Sequence, residues 1–248
     1  MGKDLTAMLH DWPYDPDQTM RIIVADDGRS VLQVRLPLGM EQYELVGRPD
    51  GTQPFGKESV LQELMDRADA HKSKHGTDEG FMLTHEDCVL LQNEGVLYYY
   101  RYLLLFQLND FARVTADTEH NLQVCSLLER YCESEEDRNA VLQYKPYILR
   151  MNAMARAMAS VHDHLKEVAQ GILNDAINEI ETMDDVDSPA FQFERVRSLN
   201  YLRSALKQVE DRAPTDPRQK LELELKKALE DENYEKAAEL RDRIQELS

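Results

Sequence analysis

The stretch "GVLYYYRYLLLFQLNDFARV", residues 95–114, sets the architecture of this chain. Its apolar run from 95 to 108 contains Arg101 and is too short to cross a bilayer. A helix that is apolar on nearly all sides is typical of a protein core, so the run predicts a buried helix. The polar residues Asn109 and Asp110 then precede an aromatic residue, which predicts a turn and a second helix packed against the first.

This helical hairpin over 95–128 invites comparison with the tetratricopeptide repeat, in which two helices pack through small residues. At positions where that repeat requires small side chains, the chain has Tyr102, Val114 and Asn121. The hairpin is therefore interpreted as one of general type.

A period of two residues, typical of a strand, appears only near the N-terminus. Leu32, Val34 and Leu36 alternate with Gln33 and Arg35, which predicts a half-buried strand with its aliphatic face inward. Because only one face of such a strand is covered, the two polar side chains are expected to be solvated.

Two neighbouring features extend this strand into a small antiparallel sheet. Asp27 and Gly28 predict a tight hairpin before it, because glycine tolerates the positive φ of such turns. The segment 41–51 predicts a third strand, with Tyr43 and Leu45 facing inward. A sheet of this size needs a helical layer to cover it.

Everything after Gly56 is predicted to be helical, which makes the fold mainly α with a small N-terminal antiparallel β-sheet. Apolar residues recur there at helical spacing, and capping residues bound the runs. Pro146 is expected to kink or divide the long segment 135–183. The predicted caps are Gly76 at a C-terminus and Thr84, Ser134 and Ser188 at N-termini.

The segment "RAPTDPR", residues 212–218, has two prolines and predicts a linker. It divides the chain into an N-terminal segment with the sheet (1–56), an α-helical body (57–211) and a C-terminal helical hairpin (219–248).

Composition narrows the functional class. The 248 residues are 42% hydrophobic and 31% charged, as in ordinary globular proteins, and the net charge is −18. A field of that sign repels phosphate backbones, which disfavours direct nucleic-acid binding. Neither a signal peptide nor a membrane segment is predicted, so a cytoplasmic location is expected.

No metal, cofactor or catalytic site is predicted. The three cysteines form no CxxC pair and are expected to be buried free thiols. His71 and His75 have the spacing of metal ligands but flank lysines, while His85 and Cys88 make only one pair. The acidic run 183–187 is expected to be an interhelical loop. Neither a phosphate-binding loop nor a nucleophile elbow occurs.

The C-terminal stretch "KLELELKKALEDENYEKAAELRDRIQEL", residues 220–247, predicts two short helices around a turn at 231–233. Each helix has one thin apolar stripe, and a lone pair of such helices is marginal in water. A hairpin of this kind gains most when a second hairpin completes a four-helix arrangement. The stripe residues are Leu221, Leu225, Ala228 and Leu229 before the turn, and Tyr234, Ala237, Leu240, Ile244 and Leu247 after it.

This stretch closely resembles the UVR motif, found at the C-terminal part of the excision-repair protein UvrB and in UvrC. "YEKAAELRDRI", residues 234–244, carries its most diagnostic positions. The resemblance implies a hairpin that pairs with itself or with another UVR hairpin. The implied partner-binding residues are Leu221, Leu225, Leu229, Tyr234, Ala237, Ala238, Leu240, Arg241, Ile244 and Leu247.

The rest of the chain lacks the other parts of proteins that carry this motif. It has no helicase motif of UvrB, no nuclease domain of UvrC and none of the zinc-binding CxxC pairs of the activator of protein-arginine kinase. The segment "DGRSVLQVRLPLG" resembles the opening of bacterial proteins that end in a UVR motif, but this resemblance implies no activity.

The expected function is that of a non-catalytic cytoplasmic adaptor whose hairpin pairs with a UVR-type hairpin. The helical body would bind a second component or set the oligomer. One alternative is an accessory factor of nucleotide excision repair that docks on UvrB or UvrC. A further alternative is a regulator of protein-arginine kinase and Clp proteolysis.

Overall fold

The helices of the body follow one another closely, and the sheet precedes them. The computed structural model describes residues 4–211, the single positions 221, 225, 228 and 229, and residues 233–246. Described residues after Gly56 are in helices or their connections, which confirms the predicted fold class. The predicted linker 212–218 lies outside the described residues.

The sheet has three antiparallel strands in the order β1-β2-β3, preceded by a short helix α1. Gly28 has a φ of 85° in the β1–β2 turn, where the hairpin was predicted. The third strand ends before the predicted segment 41–51 does. The bounds are α1 Thr6–Asp11, β1 Met20–Val24, β2 Ser30–Leu36 and β3 Gly39–Glu44.

A 3-10 turn at Pro54–Gly56 leads into the helices. In chain order these are α2 Val60–His75, α3 His85–Gln107, α4 Phe111–Tyr131, α5 Glu135–Leu142, α6 Lys145–His162, α7 Lys166–Thr182, α8 Pro189–Asp211 and α9 Tyr234–Glu246.

The predicted caps are confirmed. Thr84 and Asp87 form a reciprocal capping box at the start of α3, and Gly76 ends α2 with a φ of 77°. Ser134 accepts a hydrogen bond from an amide in the first turn of α5, and Ser188 does the same at α8. Pro146 lies in the first turn of α6, where proline costs no helical hydrogen bond, so it divides α5 from α6 as predicted.

The predicted alternation of β2 is wrong for its polar residues. Gln33 and Arg35 are 8% and 5% exposed, so both faces of this strand are covered. The N-terminal segment covers the outer face: the Arg35 Nε donates to the Trp12 carbonyl at 2.7 Å, and the Arg21 guanidinium lies over the Trp12 ring. Leu36, at the end of the strand, is exposed. The local pattern of residues could not reveal cover contributed by a segment so far away.

The inner face of the sheet packs on the hairpin of α3 and α4. Leu32 and Leu45 share one apolar cluster with Tyr102, Leu105 and Val114, and Tyr43 packs against it. The sheet is therefore covered by a helical layer, as expected for three strands.

Arg101 ties the sheet to both helices of this hairpin. Its guanidinium makes two hydrogen bonds to the Asp117 carboxylate, with an Nε–Oδ2 distance of 2.8 Å and an Nη2–Oδ1 distance of 2.6 Å. The same group donates to the carbonyl of Glu44, the last residue of β3, and to that of Gly47 just beyond it. The Arg101 guanidinium is thus hydrogen-bonded to α4 and to the end of the sheet at the same time. These charge-assisted bonds fix the orientation of the sheet on the helices.

Glu94 fastens α2 to the same hairpin. Its carboxylate is fully buried and accepts hydrogen bonds from the backbone amides of Val60 at 2.7 Å and Leu61 at 3.0 Å. The His120 Nε2 lies 3.3 Å from Oε1, the oxygen that also accepts from Leu61. Burial alone would raise the pKa of Glu94, but the hydrogen bonds from His120 and the two amides outweigh it, so the pKa lies below its usual value.

A second apolar cluster joins α6, α7 and α8. It includes Leu149, Leu173, Ile180 and Leu202, and its members are nearly or fully buried. The described residues include no helix with the length and apolarity that a membrane span requires.

Candidate functional site

The turn of the C-terminal hairpin ends at Asn233. The Asn233 amide donates to the Ala228 carbonyl at 2.8 Å, which closes the chain on the residues before the turn. The Asn233 side chain then accepts from the Lys236 amide at 3.2 Å and caps α9. Leu221, Leu225 and Ala228 have helical backbone, so the described parts fit the predicted hairpin.

An apolar seam holds the hairpin together. It consists of Leu221, Ala228, Ala237 and Leu240, all buried, with Leu225 and Ile244 packed against them. The two alanines face each other's helices and allow a close backbone approach. These six side chains come from the hairpin itself, so the seam is internal to it.

A second stripe of residues on α9 lies to one side of the seam. Tyr234, Ala238 and Arg241 follow one another at helical spacing, and all three are exposed. At 100° per residue this stripe lies roughly 90° around α9 from the seam residues Ala237 and Leu240. We call Tyr234, Ala238 and Arg241 the flank face; Leu229, before the turn, is half exposed as well.

The structure thus separates residues that the sequence placed together. The predicted stripe included Tyr234 beside Ala237 and Leu240, and for Tyr234 this is wrong, because its side chain is 68% exposed. Tyr234 is the first residue of α9, directly after the turn. Leu247, another predicted partner-binding residue, lies outside the described residues.

The flank face has the chemistry of a contact surface. Tyrosine and arginine are the residue types that most often dominate protein interfaces. Among the described residues, the Arg241 guanidinium lies 3.8 Å from the carboxylate of the adjacent Asp242, and both side chains are well exposed.

Two of the candidate metal positions are engaged in other contacts. The rings of His71 and His75 lie 4.5 Å apart, but the His71 Nε2 is 3.1 Å from the Glu79 carbonyl. In the acidic run 183–187, Asp185 is paired with Arg195. Neither place gathers a further metal-ligating side chain from the described residues.

A third group of side chains is one that spacing along the chain did not indicate. The Sγ atoms of Cys88 and Cys132 are 3.4 Å apart, and an Asp137 carboxylate oxygen lies within 4.8 Å of both. His85 joins them, because its Nδ1 is 2.8 Å from the Asp137 Oδ1. We call these four residues the thiol cluster. As predicted, all three cysteines of the chain are buried and free.

The register of the α3–α4 hairpin would have predicted this cluster. Cys88 and Cys132 lie equally far, 22 residues, on either side of Asp110 in the turn. In an antiparallel pair such positions face each other, and the cysteines therefore meet at the open end of the hairpin.

A cleft of about 450 Å³ opens on the helical body. Its walls combine tyrosine rings with aliphatic side chains, and Glu194 and Arg197 add a charged part to the lining. Such a mixture is typical of grooves that receive a ligand or a partner side chain. The tyrosines in the lining are Tyr99, Tyr100, Tyr102, Tyr144 and Tyr147.

Comparison with protein families identifies the hairpin. Residues 218–248 match the family model described as the UvrB/uvrC motif, which confirms the resemblance of this segment. The motif is an interaction motif and not a catalytic one. Searches against curated proteins and against solved structures gave no match.

Proposed function

We propose that this chain is a non-catalytic cytoplasmic adaptor whose C-terminal hairpin pairs, through its flank face, with a UVR-type hairpin of another protein or of a second copy. The observation that carries the proposal is the division of the hairpin into a buried seam and an exposed face with Tyr234 and Arg241. The match of 218–248 to an interaction motif supports it.

Pairing through the flank face would bury side chains that the seam leaves exposed, and it would therefore add to the stability that the seam supplies. Full burial of a large apolar side chain such as that of Tyr234 contributes about 1.5–3 kcal/mol. Leu229, half exposed, adds part of another such contribution. Arg241 lies at the edge, where a charged contact mainly improves specificity and association rate.

The size of α9 limits the affinity. A helix of 13 residues is about 20 Å long, so a single hairpin presents less than the roughly 800 Å² per partner of a standard interface. We therefore expect a dissociation constant in the micromolar range for one pair of hairpins. Tighter association requires a second contact from the body.

A second candidate function is that of an accessory factor of nucleotide excision repair. The description of the matched family, the UvrB/uvrC motif, favours it. With a net charge of −18, such a factor would approach damaged DNA through a protein and not by binding the duplex itself. Its hairpin would dock on UvrB or UvrC.

The experiment that tests both candidates uses the full chain. Sedimentation velocity over a concentration series measures pairing with itself, and calorimetric titration against purified UvrB and UvrC measures pairing with these proteins. Tyr234→Ala is expected to weaken the observed pairing about 10- to 100-fold, and Arg241→Ala less. Tyr14→Ala, which removes an exposed ring from the N-terminal segment, is the matched control and should change nothing.

Each outcome has a distinct meaning. Concentration-dependent association supports pairing between copies, and binding to UvrB or UvrC supports the repair function. If the chain stays monomeric and binds neither protein, or if Tyr14→Ala weakens pairing as much as Tyr234→Ala, the hairpin is not the docking element.

A further inference from the structure

We propose that the thiol cluster is a structural binding site for one zinc ion, with Cys88, Cys132, Asp137 and His85 as its four ligands. The sequence predicted no metal site, because no cluster along the chain reaches three or four ligands at suitable spacing. The fold adds the other two ligands, and the proposal is independent of what the hairpin binds.

The distances suit a tetrahedral site. Two thiolates bound to one zinc ion at about 2.3 Å each stand about 3.8 Å apart. The Cys88 and Cys132 sulfurs are 3.4 Å apart, so they need to separate by only a few tenths of an ångström. The Asp137 carboxylate, within 4.8 Å of both sulfurs, would supply the third ligand. The His85 Nδ1 is 2.8 Å from the Asp137 Oδ1, and this exposed side chain would have to turn toward the sulfurs to supply the fourth.

Ends of three helices hold these ligands in place. Cys88 lies in the first turn of α3, which the Thr84 capping box fixes, and Cys132 is the residue that ends α4. Asp137 lies in the first turn of α5, capped by Ser134. A metal ion here would join the open end of the α3–α4 hairpin to α5.

The site has a buried part, formed by the two cysteines, and an exposed part, formed by His85. Both cysteines are buried in the apolar cluster of α2, α3 and α4, whereas the His85 side chain is 74% exposed. Zinc can therefore reach the sulfurs from the His85 side. With four protein ligands and no open position, the site is of the structural type and not of the catalytic type.

The types of ligand favour zinc, and their charges nearly balance the charge of the ion. Thiolate and imidazole favour zinc over magnesium or calcium, which prefer oxygen ligands. Binding displaces the two thiol protons to solvent, and two thiolates, one carboxylate and Zn²⁺ leave a net charge of −1. Arg138, whose Nη1 donates to the Cys132 carbonyl at 3.3 Å, is placed to offset it.

The test uses the full chain, purified without a histidine tag and kept reduced. After chelator treatment and its removal, the chain is titrated with Zn²⁺, and in parallel with Co²⁺ as a spectroscopic probe. We expect one ion per chain, thiolate-to-cobalt charge-transfer bands that zinc abolishes, and a rise in melting temperature on adding zinc.

The third buried cysteine gives a matched control. Cys88→Ala and Cys132→Ala should each abolish the charge-transfer bands, whereas Cys125→Ala, in a different cluster, should keep them. Because core variants can unfold, His85→Ala provides a surface variant of the site. It should weaken zinc binding at least about tenfold and leave the melting temperature of the metal-free chain unchanged.

Several results would overturn the proposal. One is a reduced, folded chain that binds neither Zn²⁺ nor Co²⁺. Another is binding that survives in both Cys88→Ala and Cys132→Ala. A third is a Cys88–Cys132 disulfide in the freshly isolated chain, found by mass spectrometry, with no metal bound after reduction; this would make the pair a redox pair instead.

Discussion

Two helical hairpins of this chain differ in how they bury their apolar residues. The hairpin of α3 and α4 closes Tyr102, Leu105 and Val114 inside a core that it shares with the sheet. The C-terminal hairpin closes a seam of small and aliphatic residues and leaves Tyr234 in solvent. Both are joined by a short polar turn with an aromatic residue at the start of the second helix. The number of layers around a hairpin, more than its own sequence pattern, decides which of its residues are buried.

The same contrast applies to charges. The body hairpin buries Glu94, Arg101 and Asp117, and each is held by several hydrogen bonds. On α9 the charged side chain of Arg241 stays in water beside Asp242. Buried charges are costly to leave unpaired, so substitutions should affect the two hairpins very differently.

The largest effect is expected for Glu94→Gln in the body. A glutamine keeps the shape, but only one of its two terminal atoms is an acceptor, so its NH2 group faces one of the two backbone N–H groups. Loss of charge-assisted bonds to a buried group costs about 3–5 kcal/mol, which lowers the melting temperature by at least about 6 °C. Thermal unfolding followed by circular dichroism measures it. Glu119→Gln, exposed on α4, is the control and should shift the melting temperature by less than about 2 °C.

A smaller and local effect is expected for Leu240→Ala in the seam. Leucine-to-alanine changes in cores cost about 2–5 kcal/mol, and the thin seam favours the lower end. Amides of 233–246 should then exchange hydrogen about tenfold faster or more, while those of α3 and α4 keep their rates. Glu239→Ala removes an exposed side chain of α9 that belongs neither to the seam nor to the flank face, and it is the control. If Leu240→Ala accelerates exchange in the body as well, the two hairpins are one cooperative unit.

Local signals predicted much of this architecture. The caps at Thr84 and Gly76, the turn at Gly28 and the division at Pro146 depend on residues within a few positions of each other, and all were confirmed. What the sequence did not reveal depends on distant segments. Gln33 is buried because the N-terminal segment lies over the sheet, and the thiol cluster exists because α3 and α4 run antiparallel.

The division of the C-terminal hairpin has a similar cause. Residues 234, 237, 240 and 244 all fit a broad apolar stripe, and periodicity alone cannot locate where one helix face ends. The position of the first helix decides that Ala237 is covered and Tyr234 is not. The sequence pattern therefore predicted the hairpin, while the division between its buried and exposed residues required the structure.

A weaker, pH-dependent effect should also distinguish the body. The pKa of Glu94 is lower in the folded chain than the usual value of about 4.3, which applies when the chain is unfolded. Its ionised form thus stabilises the fold fully above that value, and the contribution is lost as the pH falls through the folded pKa. The stability difference between the native chain and Glu94→Gln should narrow between about pH 5 and pH 3. Urea unfolding at several pH values measures it, and a constant difference would show that the carboxylate is not the titrating group.

The smallest effect is expected when the C-terminal hairpin is removed. We propose that the body is a folding unit that ends before the predicted linker 212–218, because α8 closes its core through Phe191, Leu202 and Val209, and the seam of the hairpin is separate from that core. A chain ending at Asp211 should therefore melt within about 2 °C of the full chain.

The matched control is a chain that ends at Asp187 and so also lacks α8. It exposes Leu202 and the apolar faces of α6 and α7, which cost about 25 cal/mol for each Å² returned to water, and we expect it to lose cooperative unfolding. Calorimetry on the three chains compares them directly. If the chain ending at Asp211 melts much earlier than the full chain, the hairpin packs on its own body. The flank face would then be covered within the chain, and the comparison between a closed and an open hairpin would fail.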